Sequence, residues 1–373
     1  MKVSIKLAFL LVISIGCCYA QAIAPGTIQE FAIAYPSHPP NASPMCNHAH
    51  GSTHEITFNE NVGDALWITG QNEDAVVRVA LDGKMSFYNL PPCSGPHGIE
   101  FDKAGRLWLS LEFAGKIVRL DANGKIDLEY DVRLNCDTCA RKEKINTAPH
   151  GMGFGSDGKT IWFTGKATGT VGKITPDGKI ETFRLSTASV PIYIKAGPDG
   201  SMWITELVGN KIACIRPDGT VEEFGISTPN SRPIAIVPEP GGQAMWFSEE
   251  AGNKIGRIDM KGNITEFPVP KSRDNVILAG LGFDSENNLW VQQYVNQSNP
   301  NNPSPAGSDY LIRVDKTIRT ASPSDISKVS MTFYKVPSSM TVMHRIIKGP
   351  DGNIWFTEMH TDKVGKLTTG LTR

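Results

Sequence analysis

The stretch Met245-Trp-Phe-Ser-Glu-Glu-Ala-Gly-Asn-Lys-Ile-Gly-Arg-Ile-Asp-Met-Lys-Gly-Asn-Ile-Thr-Glu-Phe-Pro-Val-Pro270 carries the unit from which the chain is built. A Trp set among apolar residues is followed by an alternating segment, a Gly-containing turn and a second alternating segment. Period-two alternation between turn residues is the signature of half-buried strands. The chain has seven Trp (Trp67, Trp108, Trp162, Trp203, Trp246, Trp290 and Trp355), and each occupies the same slot of the unit. Their separations are 41, 54, 41, 43, 44 and 65 residues. A period of about 40–45 residues made of short strands indicates a propeller with four strands per blade.

Working outward from the Trp strand, an apolar inner strand precedes it (Gly98 to Phe101 in one copy) and an alternating third strand follows (Lys211 to Ile215). A turn such as Pro217-Asp218-Gly219 then leads into an outer strand. Six outer strands follow a Trp. A seventh copy, Ile28 to Ile33, precedes the first Trp and matches Ile264 to Val269. After Trp355 only a third strand, Lys363 to Leu367, remains. The expected fold is therefore all-β: a seven-bladed β-propeller with four-stranded blades, its N-terminal strand closing the last blade. Closure of this kind removes open sheet edges.

Residues 1–20 read as a secretory signal peptide: Lys2 and Lys6, an apolar run from Leu7 to Ile15, and Ala20 before Gln21. That run is too short to span a bilayer. The expected mature protein is one propeller domain over 21–373, secreted and extracellular, and a monomer. A formal charge of -1 gives no electrostatic case for nucleic acid or an acidic membrane surface. In an oxidising compartment disulfides are expected among Cys46, Cys93, Cys136 and Cys139, with Cys46–Cys93 joining adjacent loops. Cys214, inside an alternating strand, reads as a buried free thiol. Asn41, Asn263 and Asn296 head glycosylation acceptor sequences.

Two slots carry chemistry. The residue opening each inner strand, 11 to 13 positions before the Trp, is in order His54, His97, His150, Ile192, Ile234, Ala279 and His344. The four His are contiguous around a closed ring, on the face we call the top, and the chain has only eight His. The second slot, three residues after the Trp, holds Glu206, Glu249 and Glu358, with Glu112 one place later in its blade. Imidazoles beside carboxylates at a channel mouth suit a divalent metal or general acid–base work. On this count His344 and Glu358 are the candidate catalytic and metal-binding pair, and His54, His97, His150 and Glu112 the candidate substrate-binding set. The structural alternative is that such His and Glu bond neighbouring backbone and lock blades together; Glu206 and Glu249, opposite the His arc, are assigned to it. His48, His50 and His360 lie close to the arc in sequence.

The phrases Ile354-Trp-Phe-Thr-Glu358, Gly252-Asn-Lys-Ile-Gly-Arg-Ile258, Pro176-Asp-Gly-Lys-Ile180 and Pro96-His-Gly-Ile99 resemble the streptogramin B lyase (virginiamycin B lyase) family over roughly Ile28 to Leu367. The resemblance implies a seven-bladed propeller and a magnesium-assisted elimination that opens a cyclic depsipeptide at its ester. It places a last-blade His on His344 and a post-Trp Glu near Glu358. The family's Glu-Pro-His reads Val342-Met343-His344 here, and its penultimate-blade His reads Ala279. The expectation is thus a carbon–oxygen lyase acting on a different ester- or lactone-containing small molecule, with magnesium as cofactor. A non-catalytic extracellular propeller that binds a ligand or protein is the alternative, and a lactone hydrolase a further one.

Overall fold

Every Trp of the repeat lies in the second strand of a four-stranded antiparallel sheet, and seven such sheets form the ring. The computed structural model describes residues 23–36, 51–136, 143–186, 188–296 and 308–371. The inner strands of blades 1 to 7 are Thr53–Phe58, Pro96–Phe101, Pro149–Phe154, Pro191–Ala196, Pro233–Pro238, Val276–Phe283 and Met343–Lys348. Blade 7 is completed by Ile28–Ala32, which pairs antiparallel with Lys363–Leu367 in the register Ile28↔Leu367 to Ala32↔Lys363. The two ends of the described chain are thereby hydrogen-bonded into one sheet, as the seventh outer-strand copy predicts.

The constancy of the Trp has a physical cause. Each indole stacks on an aromatic of its own blade's outer strand: Trp67 on Tyr88 at 5.2 Å between centroids, Trp246 on Phe267 at 5.7 Å, Trp355 on Phe31 at 6.0 Å. In five blades its Nε1–H donates to a turn carboxylate, Asp102, Asp199, Glu239, Asp284 or Asp351, at 2.8 to 3.3 Å. A third-strand cation covers the other side, as Arg257 does over Trp246 and Lys366 over Trp355. Trp203, Trp246 and Trp355 are fully buried. Removing such a side chain costs about 3–5 kcal/mol, so the slot tolerates little else.

A second device recurs near the top of each inner strand. The register against the Trp strand slips by one residue between Thr53 and Ile56, between Pro96 and Ile99, and at the equivalent place in every other blade. Two residues then face one, a β-bulge that leaves an inner-strand N–H without a ladder partner. The side chain two places after the Trp meets it. Thr69 accepts from Glu55 N, Ser110 from Gly98 N, Thr205 from Tyr193 N and Thr357 from Arg345 N. The same hydroxyls donate onward to the next blade: Thr69 to His97 O, Ser110 to His150 O, Thr205 to Ile234 O, Thr357 to His54 O. One hydroxyl therefore satisfies the bulge and ties adjacent blades.

Cys214 is buried and free. Cys93 and Cys136 are disulfide-bonded. Cys46, Cys139, His48, His50, Asn41 and the segment 1–20 lie outside the described residues.

Candidate functional site

The structure brings His54, His97, His150 and His344 together. His97 and His150 lie with centroids 3.5 Å apart and rings tilted by 35°, and His54 lies 5.1 Å from His97 and 4.9 Å from His344. His344 Nε2 stands 3.3 Å from His97 Nε2. His54, His97 and His150 are buried, and the His344 side chain is the most open at 14% exposure. Backbone carbonyls set two of the rings: His54 Nδ1 bonds Ser52 O at 2.6 Å, and His150 Nδ1 bonds Ile192 O at 3.1 Å. His97 Nδ1 has no partner.

Burial holds all four imidazoles below their ordinary pKa. His97 and His344 fall well below it, with neighbouring imidazoles adding to the effect, and His150 falls to about 4. At neutral pH the arc is a set of uncharged lone-pair donors.

Glu112 joins the arc, beside His97 and His150. Lys166 Nζ donates to its Oε1 at 3.0 Å and Gln71 Nε2 to its Oε2 at 2.7 Å. Burial alone would raise its pKa; the His150, Lys166 and Gln71 contacts outweigh this and hold it below the ordinary value.

Sequence counting missed Glu55 and Arg345, each the residue after a slot histidine. Arg345 Nε donates to Glu55 Oε2 at 2.7 Å and a terminal nitrogen to Oε1 at 2.5 Å. The guanidinium lies over the Tyr193 ring at 3.8 Å, and His344 Nε2 is 3.7 Å from Glu55 Oε1. The bulge explains the omission. Strict alternation turns the residue after a channel-facing His away, whereas two consecutive bulged residues both reach the channel. Below this layer a cavity of about 560 Å³ is lined by Glu55, Glu100, Tyr193, Lys195 and Arg345. Its walls run to Asn59, Lys103 and Gly155, so it opens on the face opposite the arc.

Glu358 does not meet the histidines. It pairs in register with Met343, but its side chain follows Phe356 onto the blade face packed against Trp290 and Leu311 of blade 6. There Thr361 Oγ1 donates to its Oε2 at 2.8 Å, and its neighbour is Glu30 of the N-terminal strand. Glu30 in turn accepts from Lys363 Nζ at 3.0 Å and Ser338 N at 2.9 Å. Burial and the Glu30 charge raise the Glu358 pKa to about 8. Blades 4 and 5 repeat the arrangement with Glu206, Glu223 and Lys211, and with Glu249, Glu266 and Lys254. Burial and the outer-strand carboxylate raise Glu206 and Glu249 to about 8 in the same way. The catalytic and metal-binding pairing of Glu358 with His344 is thus replaced by a clamp between strands. A post-Trp position alternates onto the inter-blade face, and spacing alone conceals that.

A family model described as the virginiamycin B lyase family matches residues 138–299. A virginiamycin B lyase from Nocardia farcinica is 29% identical over 140 residues, 37% of this chain and 44% of that protein, so the match spans less than half of that relative. A crystal structure of virginiamycin B lyase from Staphylococcus aureus is 29% identical, with a TM-score of 0.70 over 92% of this chain and 99% of the other. A catalytically inactive variant of that lyase, with quinupristin, gives 28% identity and a TM-score of 0.70 over the same shares. This chain is similar to virginiamycin B lyases in fold and over part of its sequence. The family match contains His150, but His54, His97 and His344 of this lyase-like propeller lie beyond it. Magnesium, the metal that the family resemblance implies, requires oxygen ligands in near-octahedral geometry. The arc offers imidazoles, and its two carboxylates are engaged by Arg345 and Lys166. The residues at the arc of this lyase-like propeller do not suit magnesium.

Proposed function

We propose that this lyase-like propeller is an exported enzyme that cleaves the carbon–oxygen bond of an ester- or lactone-containing small molecule by elimination at the histidine arc. The observation that carries the reading is the convergence of four uncharged imidazoles at one end of the channel, beside a Glu–Arg pair. In such a reaction a base removes the proton α to a carbonyl and the ester oxygen leaves as a carboxylate, with no water consumed. His344, the least enclosed member of the arc, takes the proton. Arg345 lies close enough to favour the departing carboxylate. Ala279 and Val342, where the family carries His and Glu, point away from streptogramins as the natural substrate.

The test incubates purified protein with cyclic depsipeptides, virginiamycin B and quinupristin among them, and with a panel of lactones, and weighs the products. Elimination opens a ring at unchanged mass, whereas hydrolysis adds one water. Ring opening at unchanged mass, abolished by His344→Ala, supports the reading; a gain of water assigns a lactone hydrolase instead, and binding without turnover assigns a ligand-binding propeller.

A further inference from the structure

We infer that His54, His97 and His344 form a binding site for a divalent cation of the zinc type, borderline in softness and at home among imidazoles. One nitrogen from each ring lies within 4.8 Å of the other two. His344 Nε2 and His97 Nε2 face each other at 3.3 Å. Two nitrogens bound tetrahedrally to zinc at 2.0–2.1 Å stand about 3.3–3.4 Å apart, so the pair already has ligand spacing. The Nδ1–H of His54, held by Ser52 O, leaves Nε2 as the lone pair, the second-sphere arrangement that orients metal-binding histidines. His97 is 1% exposed with an unpartnered Nδ1, so hydrogen bonding alone does not account for this ring. Each cation beside the pocket is paired with a carboxylate, Arg345 with Glu55 and Lys166 with Glu112.

The site uses the arc of the proposed elimination but does not depend on that reaction. A cation on His344 would pass the proton-accepting role to His150, whose Nδ1 is held by Ile192 O. A second triad, His97, Glu112 and His150, shares His97 and is the competing location.

The experiment uses the full chain, stripped with a chelator and titrated with Zn²⁺ alone and with Co²⁺ alone. Metal content, visible absorption of the cobalt form and melting temperature are read, with no turnover assay. One equivalent of Zn²⁺, a tetrahedral cobalt spectrum and a raised melting temperature are expected, unaffected by excess Mg²⁺. His344→Ala and His54→Ala each weaken binding by about 100-fold or more, beyond the 10–100-fold typical of a lost second-sphere partner. His360→Ala and Glu112→Gln leave binding within a few-fold. Should a histidine variant fail to fold, the cobalt spectrum of the unsubstituted protein decides by its geometry. Substoichiometric zinc, an octahedral cobalt spectrum, or loss of binding in Glu112→Gln but not in His344→Ala overturns the assignment. Because metal is measured directly, failure here is separate from failure of the elimination reading.

Discussion

Arg345 and Glu55 are joined by two hydrogen bonds, Nε to Oε2 at 2.7 Å and a terminal nitrogen to Oε1 at 2.5 Å, which fasten blade 7 to blade 1 inside the channel. Both side chains are buried, at 6% and 5% exposure. Desolvating two ions offsets much of their attraction, so the pair is worth little against an apolar replacement of both. Removing one partner is different. Glu55→Gln leaves the guanidinium uncompensated over Tyr193 and is expected to cost about 3–5 kcal/mol, whereas Glu55→Leu with Arg345→Met is expected to be near neutral. Urea unfolding of both singles and the double measures the coupling. Additive losses would show that the pair does not act as a unit.

Thr357 is bonded on both sides, accepting from Arg345 N at 3.0 Å and donating to His54 O at 2.7 Å. Thr357→Val keeps the shape and orphans a buried N–H and a buried C=O, at an expected cost of about 1–3 kcal/mol. Thr205 makes the same two contacts in blade 4, to Tyr193 N and Ile234 O. Thr205→Val is therefore expected to cost a similar amount with no change in the histidine site, while Thr357→Val also shifts His54. Paired melting curves with imidazole NMR would separate these outcomes, and unequal losses would refute a common role for the slot.

These contacts explain what the sequence made legible. The Trp slot is held by an aromatic of the outer strand in every blade, and in five of them also by a turn carboxylate, so it serves as a ruler for strand order and closure. From that ruler the His arc follows directly, because the inner-strand opening lies 11 to 13 residues before each Trp. The side-chain direction of Glu358 does not follow. It depends on which blade face a position alternates onto, and here that face meets blade 6 and Glu30. Glu55 and Arg345 stayed hidden because the bulge breaks alternation where the channel is lined. Gly occupies the equivalent place in blades 2, 3 and 6, where a Cβ on Gly98, Gly151 or Gly280 would come within 2.4 to 2.7 Å of a neighbouring oxygen. That repeated Gly disguises a position which two blades use for charge.

The buried acids of blades 4, 5 and 7 give a signed pH effect. Burial, together with an outer-strand carboxylate, raises Glu206, Glu249 and Glu358 to about 8, well above the ordinary carboxyl value of 4.5. Such a group stabilises the fold fully below the unfolded value, and that stability is lost as pH rises through about 8. The contribution of these acids to the melting temperature is expected to fall progressively from pH 5 to 9. Glu358→Gln, neutral at every pH, is expected to flatten part of the slope and to leave metal content unchanged. If that variant instead loses zinc, Glu358 belongs to the site after all.

The imidazoles act in the opposite sense. Desolvation holds all four below 6.5, His150 at about 4, so the unfolded chain takes up protons that the folded arc refuses. Their contribution is present above 6.5 and is lost as pH falls toward 4. Chelator-treated protein is therefore expected to lose melting temperature steeply on acidification, and the balance of the two effects puts its optimum between the histidine limb and the carboxyl limb. His150→Gln removes one of the four titrating groups and is expected to make the acid limb shallower, while the alkaline limb, which belongs to the glutamates, keeps its slope. A chelated protein whose melting temperature is flat from pH 7 to 4.5 would mean that the imidazoles take up protons in the folded state. The arc would then be solvated or charged, and neither the lone-pair donors of the metal site nor the base of the elimination would be in place.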